Sequence, residues 1–354
     1  MEKNMLKKLK KVTFLLLLLL SFVGSFVTFQ STSKAENVSQ NDTLKVEPQT
    51  KNLKFQNNNS NFFDFRLNKQ DQINQDLVIK VTNPSHDQKV DFTTSINQAT
   101  TSKVAKISYD GKGKSVKNLF DFKQIVTAND VNENKITLKP GESRELNFHI
   151  QTPSNEMFKN FNGTILGGIY IVAQPNHAKK IAYPIAIRIN KGTSSPNIAM
   201  KKVKVDTTYK HNMVDAMITN NHPDMLSQIS YKGTVVKKGT NDVVAKASRV
   251  DGQIAPNSQF KFEIPWLTKR ITPGAYTMKV KIKSTDPQLG VKGETCFLEK
   301  DFTVSVWDAI VLNAKVTHSI PWLFIISVII LFGLIIGLIR WLLKIRNRRE
   351  GLEK

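Results

Sequence analysis

Between Thr50 and Thr317 the prevailing rhythm is period two, apolar residues alternating with polar ones and turn residues between the runs, and this points to strands. Val90, Phe92, Thr94 and Ile96 fall on one face of such a strand, and Asp91, Thr93, Ser95 and Asn97 on the other. After a Pro140-Gly141 turn, Leu146, Phe148 and Ile150 repeat the pattern. In the second half it returns at Val203 and Val205, at Ile229, Tyr231 and Gly233, from Tyr276 to Ile282, and from Leu298 to Val306. Each sheet then has one buried and one wet face. No long amphipathic helix competes with this reading. The expected class is all-β: two tandem immunoglobulin-like β-sandwiches plus one C-terminal transmembrane helix. The run Lys180 to Asn190 contains Pro184, which removes a ladder donor and predicts an edge or a bulge there.

The two halves repeat a set of landmarks, which predicts an internal duplication. A strand ends on asparagine near proline at Val81-Thr82-Asn83-Pro84 and again at Ile218-Thr219-Asn220-Asn221-His222-Pro223. A proline turn then feeds an alternating strand, at Lys139-Pro140-Gly141 and at Ala255-Pro256-Asn257. A glycine opens the next strand, Gly163 in one half and Gly274 in the other. The small-residue stretch at residues 191–196 reads as a linker, dividing a first domain at 52–190 from a second at 197–307. Residues 36–51 are polar and are expected to be mobile.

The two ends predict the compartment. Lysines at positions 3, 7, 8, 10 and 11 precede an uncharged stretch with six consecutive leucines, Leu15 to Leu20, and Ser33-Lys34-Ala35 offers small side chains for cleavage. Residues 1–35 therefore read as a signal peptide. Ser319 to Ile339 carries no ionisable group. At about 1.5 Å per residue it spans about 31 Å, enough for a bilayer. A transmembrane helix is expected at 319–343, after a juxtamembrane segment at 308–318. Trp322 and Trp341 would sit at its two interfaces, with Arg340, Lys344 and Arg346 anchoring the inner side. The basic tail 344–354 would be cytoplasmic and the rest exported from the cell membrane.

The whole chain carries 51 basic against 29 acidic residues. Its exported part stays basic without a dense arginine run, which suits an anionic wall polymer or a lipid surface and argues against nucleic acid. The chemistry of catalysis is mostly missing. Six histidines are scattered without helix spacing, the single cysteine, Cys296, lies in a strand pattern, and no HExxH or GxSxG occurs. Asp110 to Ser115 mimics a phosphate loop, but Ser108 replaces its first glycine, and a hairpin turn accounts for it. No enzyme activity, cofactor or metal is expected. Two alternatives stay open: a wall-modifying hydrolase whose carboxylates meet only in three dimensions, and a passive structural spacer.

Two features are candidates for binding surface. Asn162, Gly163, Gly167, Gly168 and Tyr170 lie in a strand where paired glycines cost stability unless another backbone or a ligand comes close. Trp266, Lys269, Arg270 and Tyr276 cluster an aromatic pair and two cations near a strand end, a composition suited to a protein partner, with a core tryptophan as the alternative.

In its first half the chain has Phe62-Phe63-Asp64-Phe65, Val81-Thr82-Asn83, Asn97-Gln98-Ala99-Thr100, Tyr109, Ile136 through Ser143, and Gly163 through Gly168. Its second half has Pro196-Asn197-Ile198, Ile254 through Ser258 and Pro273-Gly274 before Tyr276. In this order they resemble the WxL-interacting protein family of Gram-positive cell-surface proteins. Lys69-Gln70 stands where that family usually has a Pro-Gly turn. The resemblance implies a surface adaptor whose first domain holds peptidoglycan or an associated anionic wall polymer. Its second domain would engage a WxL-domain surface protein or a host extracellular-matrix protein. With no LPxTG-like signal, the helix itself would be the anchor.

Overall fold

The computed structural model describes residues 44–116, 119–129, 135–175, 180–193, 197–268, 270–285 and 295–317, with scattered positions between 326 and 340. The expected leader, the tail 344–354, Trp322, Trp341, Lys344, Arg346 and Lys269 lie outside the described residues, as does most of the expected span 319–343. Described positions inside that span are helical, and Ile326, Ile329, Ile330, Phe332, Ile335 and Ile336 expose their side chains. Among the described residues no helix is long and apolar enough to cross a membrane.

The chain is mostly strand. Its first half contains β1 (Lys45–Gln49), β2 (Phe63–Arg66), β3 (Asn74–Thr82), β4 (Val90–Gln98), β5 (Thr100–Thr101), β6 (Ile107–Ser108) and β7 (Lys114–Ser115). There follow α1 (Phe122–Ile125), β8 (Val126–Ala128), β9 (Ile136–Leu138), β10 (Ser143–Gln151), α2 (Glu156–Lys159), β11 (Gly163–Pro175) and β12 (Ile181–Lys191). The second half contains β13 (Ile198–Thr208), β14 (His211–Asn220), β15 (Leu226–Lys237), β16 (Val243–Ile254), β17 (Ser258–Pro265), β18 (Gly274–Ser284), β19 (Thr295–Val304) and α3 (Val306–Thr317).

Two sheets close on a core in each half. In the first, β1-β3-β10-β8 faces β2-β12-β11-β4-β9, and the period-two residues Leu77, Ile79, Phe92, Leu146, Phe148, Ile169 and Ile171 fill the space between. In the second, β13-β14-β17-β7 faces β16-β15-β18-β19 around Val214, Phe262, Tyr231, Tyr276 and Met278. The two pairs share one strand order, with β3, β10, β4 and β11 answering to β14, β17, β15 and β18. Pro184 fits its place: β2 pairs with β12 only from Ile187 to Asn190, so the ladder needs no donor at Pro184 on that side.

Buried asparagines brace both halves in the same way. The Asn83 amide donates to the carbonyls of Gln88 (2.8 Å) and Lys139 (3.0 Å), and its Oδ1 accepts from Ser85 N (3.1 Å). The Asn220 amide donates to Asp224 O (2.7 Å) and Ala255 O (3.2 Å), and its Oδ1 accepts from His222 N (3.3 Å). Each side chain thus satisfies carbonyls that a strand end leaves orphaned. The turns it holds also match, with left-handed Gly141 (φ 70) after Pro140 and left-handed Asn257 (φ 44) after Pro256.

Three local expectations change. Residues 45–49 lie in the stretch expected to be mobile, yet they form β1 on the free edge of β3, with Leu44 buried and Val46 packed on the core. The strand expected to reach Val306 ends at Val304, because Ser305 caps a helix: its Oγ accepts from Asp308 N at 3.0 Å. That helix, α3, lies on the second core through Ala309 and Leu312. Asn313 ties it down by bonding both the N–H (2.8 Å) and the carbonyl (2.9 Å) of Ile271. Finally, residues 110–115 do not close a local hairpin. They carry β7 across to the second half, where it pairs with the start of β17.

Candidate functional site

The glycine pair lies on β11, in the middle of its sheet, and each member makes room for a side chain of the protein itself. A Cβ on Gly167 would stand 2.3 Å from Cδ1 of Phe122, so this glycine faces the core and admits the α1 phenylalanine. On the opposite face, a Cβ on Gly168 would lie 2.6 Å from the Ile185 carbonyl oxygen and 2.8 Å from Cδ1 of Tyr109. Gly163 (φ 147) abuts Pro223 of the second half. Asn162 is exposed and its amide donates to the Thr193 carbonyl. Tyr170 is half-buried and stands opposite Pro184. Of these residues, Gly167 is therefore internal, whereas Gly168 forms the seat of Tyr109.

Tyr109 is fixed from several directions. Asn97 donates from Nδ2 to its carbonyl (2.9 Å), and burial raises the phenol to about 12 against the opposing Arg188 charge. The ring is therefore neutral near pH 7. Arg188 enters from β12, opposite Asp64 in the parallel register with β2. It grips Asp64 with both prongs, Nε to Oδ1 at 2.6 Å and Nη2 to Oδ2 at 2.7 Å, while its guanidinium lies 5.3 Å from the centre of the Phe62 ring. Asp64 is fully buried and also accepts from Asn57 Nδ2 and Ser60 Oγ, each at 2.8 Å. Burial alone would raise the Asp64 carboxyl. The hydrogen bonds from Arg188, Asn57 and Ser60, with the Arg188 charge, outweigh it and hold the group below its ordinary value.

Phe62, Tyr109 and Arg188 form one wall of a cleft of about 410 Å³ between the two halves, together with Asn59 and Asn61. The second half supplies Met225, Ser227, Gln228 and Gln253. At the base, Leu166 and Ala99 meet Met225 and Ala255 in a small apolar cluster. Thr164 N donates to Pro223 O at 2.7 Å beside it.

A strap of residues 99–116 holds the halves together. Ala105 is buried in the second core, and its carbonyl accepts from Gln253 N at 2.8 Å. Thr101 Oγ1 lies 2.6 Å from Ser258 Oγ and accepts from Ala255 N at 2.9 Å. Neither the strap nor the Asp64–Arg188 pair was foreseen. A charged residue between aromatics at Phe63-Asp64-Phe65, and an arginine between isoleucines at Ile187-Arg188-Ile189, were the signals that could have found the pair.

The aromatics expected to meet a partner are core residues. Tyr276 is fully buried, stacks on Phe302 with centroids 5.6 Å apart and donates from its hydroxyl to Thr272 O (2.7 Å). Trp266 packs edge-on against it at 5.2 Å and keeps 7% of its surface. Arg270 is exposed. Their spacing near a strand end could not distinguish a packed aromatic from a displayed one. Among the described residues no three His, Cys, Asp or Glu side chains converge as metal ligands.

Two family models match the chain in tandem: the WxL Interacting Protein peptidoglycan binding domain over residues 44–173, and the host binding domain of the same family over 176–314. The chain belongs to the WxL-interacting protein family. The host-binding match begins ahead of β12, which hydrogen-bonds to β11, so one sheet of the first half spans the join between the two matches. No curated protein matches the chain. Among solved structures, the Escherichia coli chaperone DraB is similar at 13% identity and TM-score 0.26, over 75% of this chain and 99% of that one. The class 5 fimbriae chaperone CfaA aligns at 14% identity and TM-score 0.28, over 67% of this chain and 96% of that one. At such scores neither bears on function.

Proposed function

We propose that this chain is a non-enzymatic adaptor of the Gram-positive cell surface. A leader cleaved after Ala35 exports it, and a helix at 319–343 holds it in the cell membrane with its tail inside. Two immunoglobulin-like domains work outside, 52–190 on peptidoglycan and 197–307 on a WxL-domain surface protein or a host extracellular-matrix protein. The observation that carries this reading is the tandem match of a peptidoglycan-binding and a host-binding domain along one chain. The apolar run at 319–339 and the basic residues after it support the anchor. Tethering is the mechanism: retention at the membrane and simultaneous contacts raise the effective concentration of each weak interaction.

Co-sedimentation of the detergent-solubilised full chain with washed peptidoglycan tests the reading. Saturable pelleting that survives high salt is expected. Pelleting that disappears with salt would mean that the basic surface acts only as a polycation, and would overturn wall recognition.

A further inference from the structure

The cleft between the halves has the chemistry of a site for a neutral, amide-bearing ligand. Among the described residues Arg188 and Tyr109 are its only ionisable lining residues; the first is matched by Asp64, and the second is neutral. The amide side chains of Asn59, Asn61, Gln228 and Gln253 all line this space. Among the described residues none of the four amides bonds to a protein group through its side chain. Beside them, Phe62 and Tyr109 offer aromatic surface, and the guanidinium grips Asp64 through Nε and Nη2, with no bond from Nη1 among the described residues.

Backbone geometry also marks the place. Gln228 is held in the left-handed region (φ 47), at a register break of β15 between Leu226 and Ile229. That strain is maintained by the end of β18: the Ser227 carbonyl accepts from Ser284 Oγ (3.1 Å), and the Gln228 carbonyl accepts from Thr285 Oγ1 (3.2 Å). A bulge of this kind re-aims a side chain, and a strained non-glycine residue is found where surrounding structure enforces it. On the facing wall, Gly168 is bare and Tyr109 lies over it. Both walls are thus built locally to set their side chains.

We propose that this cleft binds the N-acetylated glycan of the wall, and that the site is composite, requiring Gln228 and Gln253 of the second half as much as Phe62 and Tyr109 of the first. The inference rests on the peptidoglycan reading above and adds the ligand's chemical class and its position. An acetamido group needs one donor and one acceptor, which a carboxamide side chain supplies together. Sugar rings present hydroxyls for the remaining amides and apolar faces for the aromatics. The volume suits one or two sugar units in a pocket of ordinary ligand size.

The test uses the full chain in detergent with three probes: washed peptidoglycan, the same material after chemical de-N-acetylation, and chitotetraose as competitor. The double variant Gln228→Gly/Gln253→Ala removes two amides and suits the left-handed backbone at position 228. It is expected to bind peptidoglycan about tenfold more weakly, with an unchanged thermal midpoint. Asn61→Ala, on an exposed loop, is expected to weaken binding in the same direction. De-N-acetylation should abolish salt-resistant binding of the wild-type chain, and chitotetraose should compete. Wild-type affinity in both variants would overturn the composite cleft while leaving the adaptor reading intact. Binding that survives de-N-acetylation, or that yields to free stem peptide but not to chitotetraose, would overturn the ligand class. No salt-resistant binding by the wild-type chain would overturn both this inference and the wall reading.

Discussion

Replacing Arg188 with methionine leaves the Asp64 carboxylate in a site with no solvent exposure and no countercharge. Removing one partner of a buried ion pair costs about 3–5 kcal/mol. Two donors, Asn57 Nδ2 and Ser60 Oγ, would remain on the stranded carboxylate, and Arg188 itself keeps 16% side-chain exposure, so the low end of that range, about 3 kcal/mol, is expected. The pH dependence has a definite sign. In the wild type the folded-state pKa of Asp64 is lowered. That stabilisation is fully present above the unfolded value of about 3.9 and is lost as pH falls through the folded value. In the variant the arginine no longer opposes burial, so the group moves upward from its wild-type value and its penalty shrinks as acid protonates it. Urea unfolding of residues 44–317 at pH 7 and near pH 4 measures both effects. The wild-type advantage should be larger at pH 7, and Asp64→Leu combined with Arg188→Met should recover most of the loss. A difference under about 1 kcal/mol at pH 7, or one that does not change with pH, would show that Arg188 does not hold Asp64 ionised.

Other changes separate the roles of individual residues. Gly168→Val places a side chain against the fixed Ile185 carbonyl and the Tyr109 ring; it should cost about 1–3 kcal/mol by urea unfolding and weaken wall binding as Tyr109 is displaced. Asn83→Ala and Asn220→Ala each strand buried carbonyls, and each should lower stability by about 2–3 kcal/mol, with similar values if the two braces are equivalent. Thr101→Val deletes the acceptor for Ala255 N and the contact with Ser258, and should speed hydrogen exchange at Ala255 and along β7 more than in the first core.

The architecture was legible where its physics is local. Alternation placed the strands, because a half-buried strand must show period two. The asparagine and proline landmarks identified the repeated braces, because a strand end has few ways to satisfy its carbonyls. What sequence could not show was which distant surfaces meet. Gly167 and Gly168 stood out as costly, but only the sheet's two faces decide that one admits Phe122 and the other seats Tyr109. For Trp266 the sequence left both a core position and a partner contact open, because burial depends on β18, β19 and α3 closing over it. The strap was invisible for a related reason: Thr101 contacts Ser258, 157 positions away, and nothing in its neighbours encodes that partner. At the two chain ends, the apolar runs and the basic residues that flank them support the leader and the anchor.

The most direct measurement of the central claim is the retention of the full chain on washed, polymer-stripped peptidoglycan at about 1 M salt, where charge interactions are screened beyond about 3 Å. A wall-binding adaptor shows saturable retention that persists. Retention that vanishes, leaving only low-salt adhesion, would contradict it.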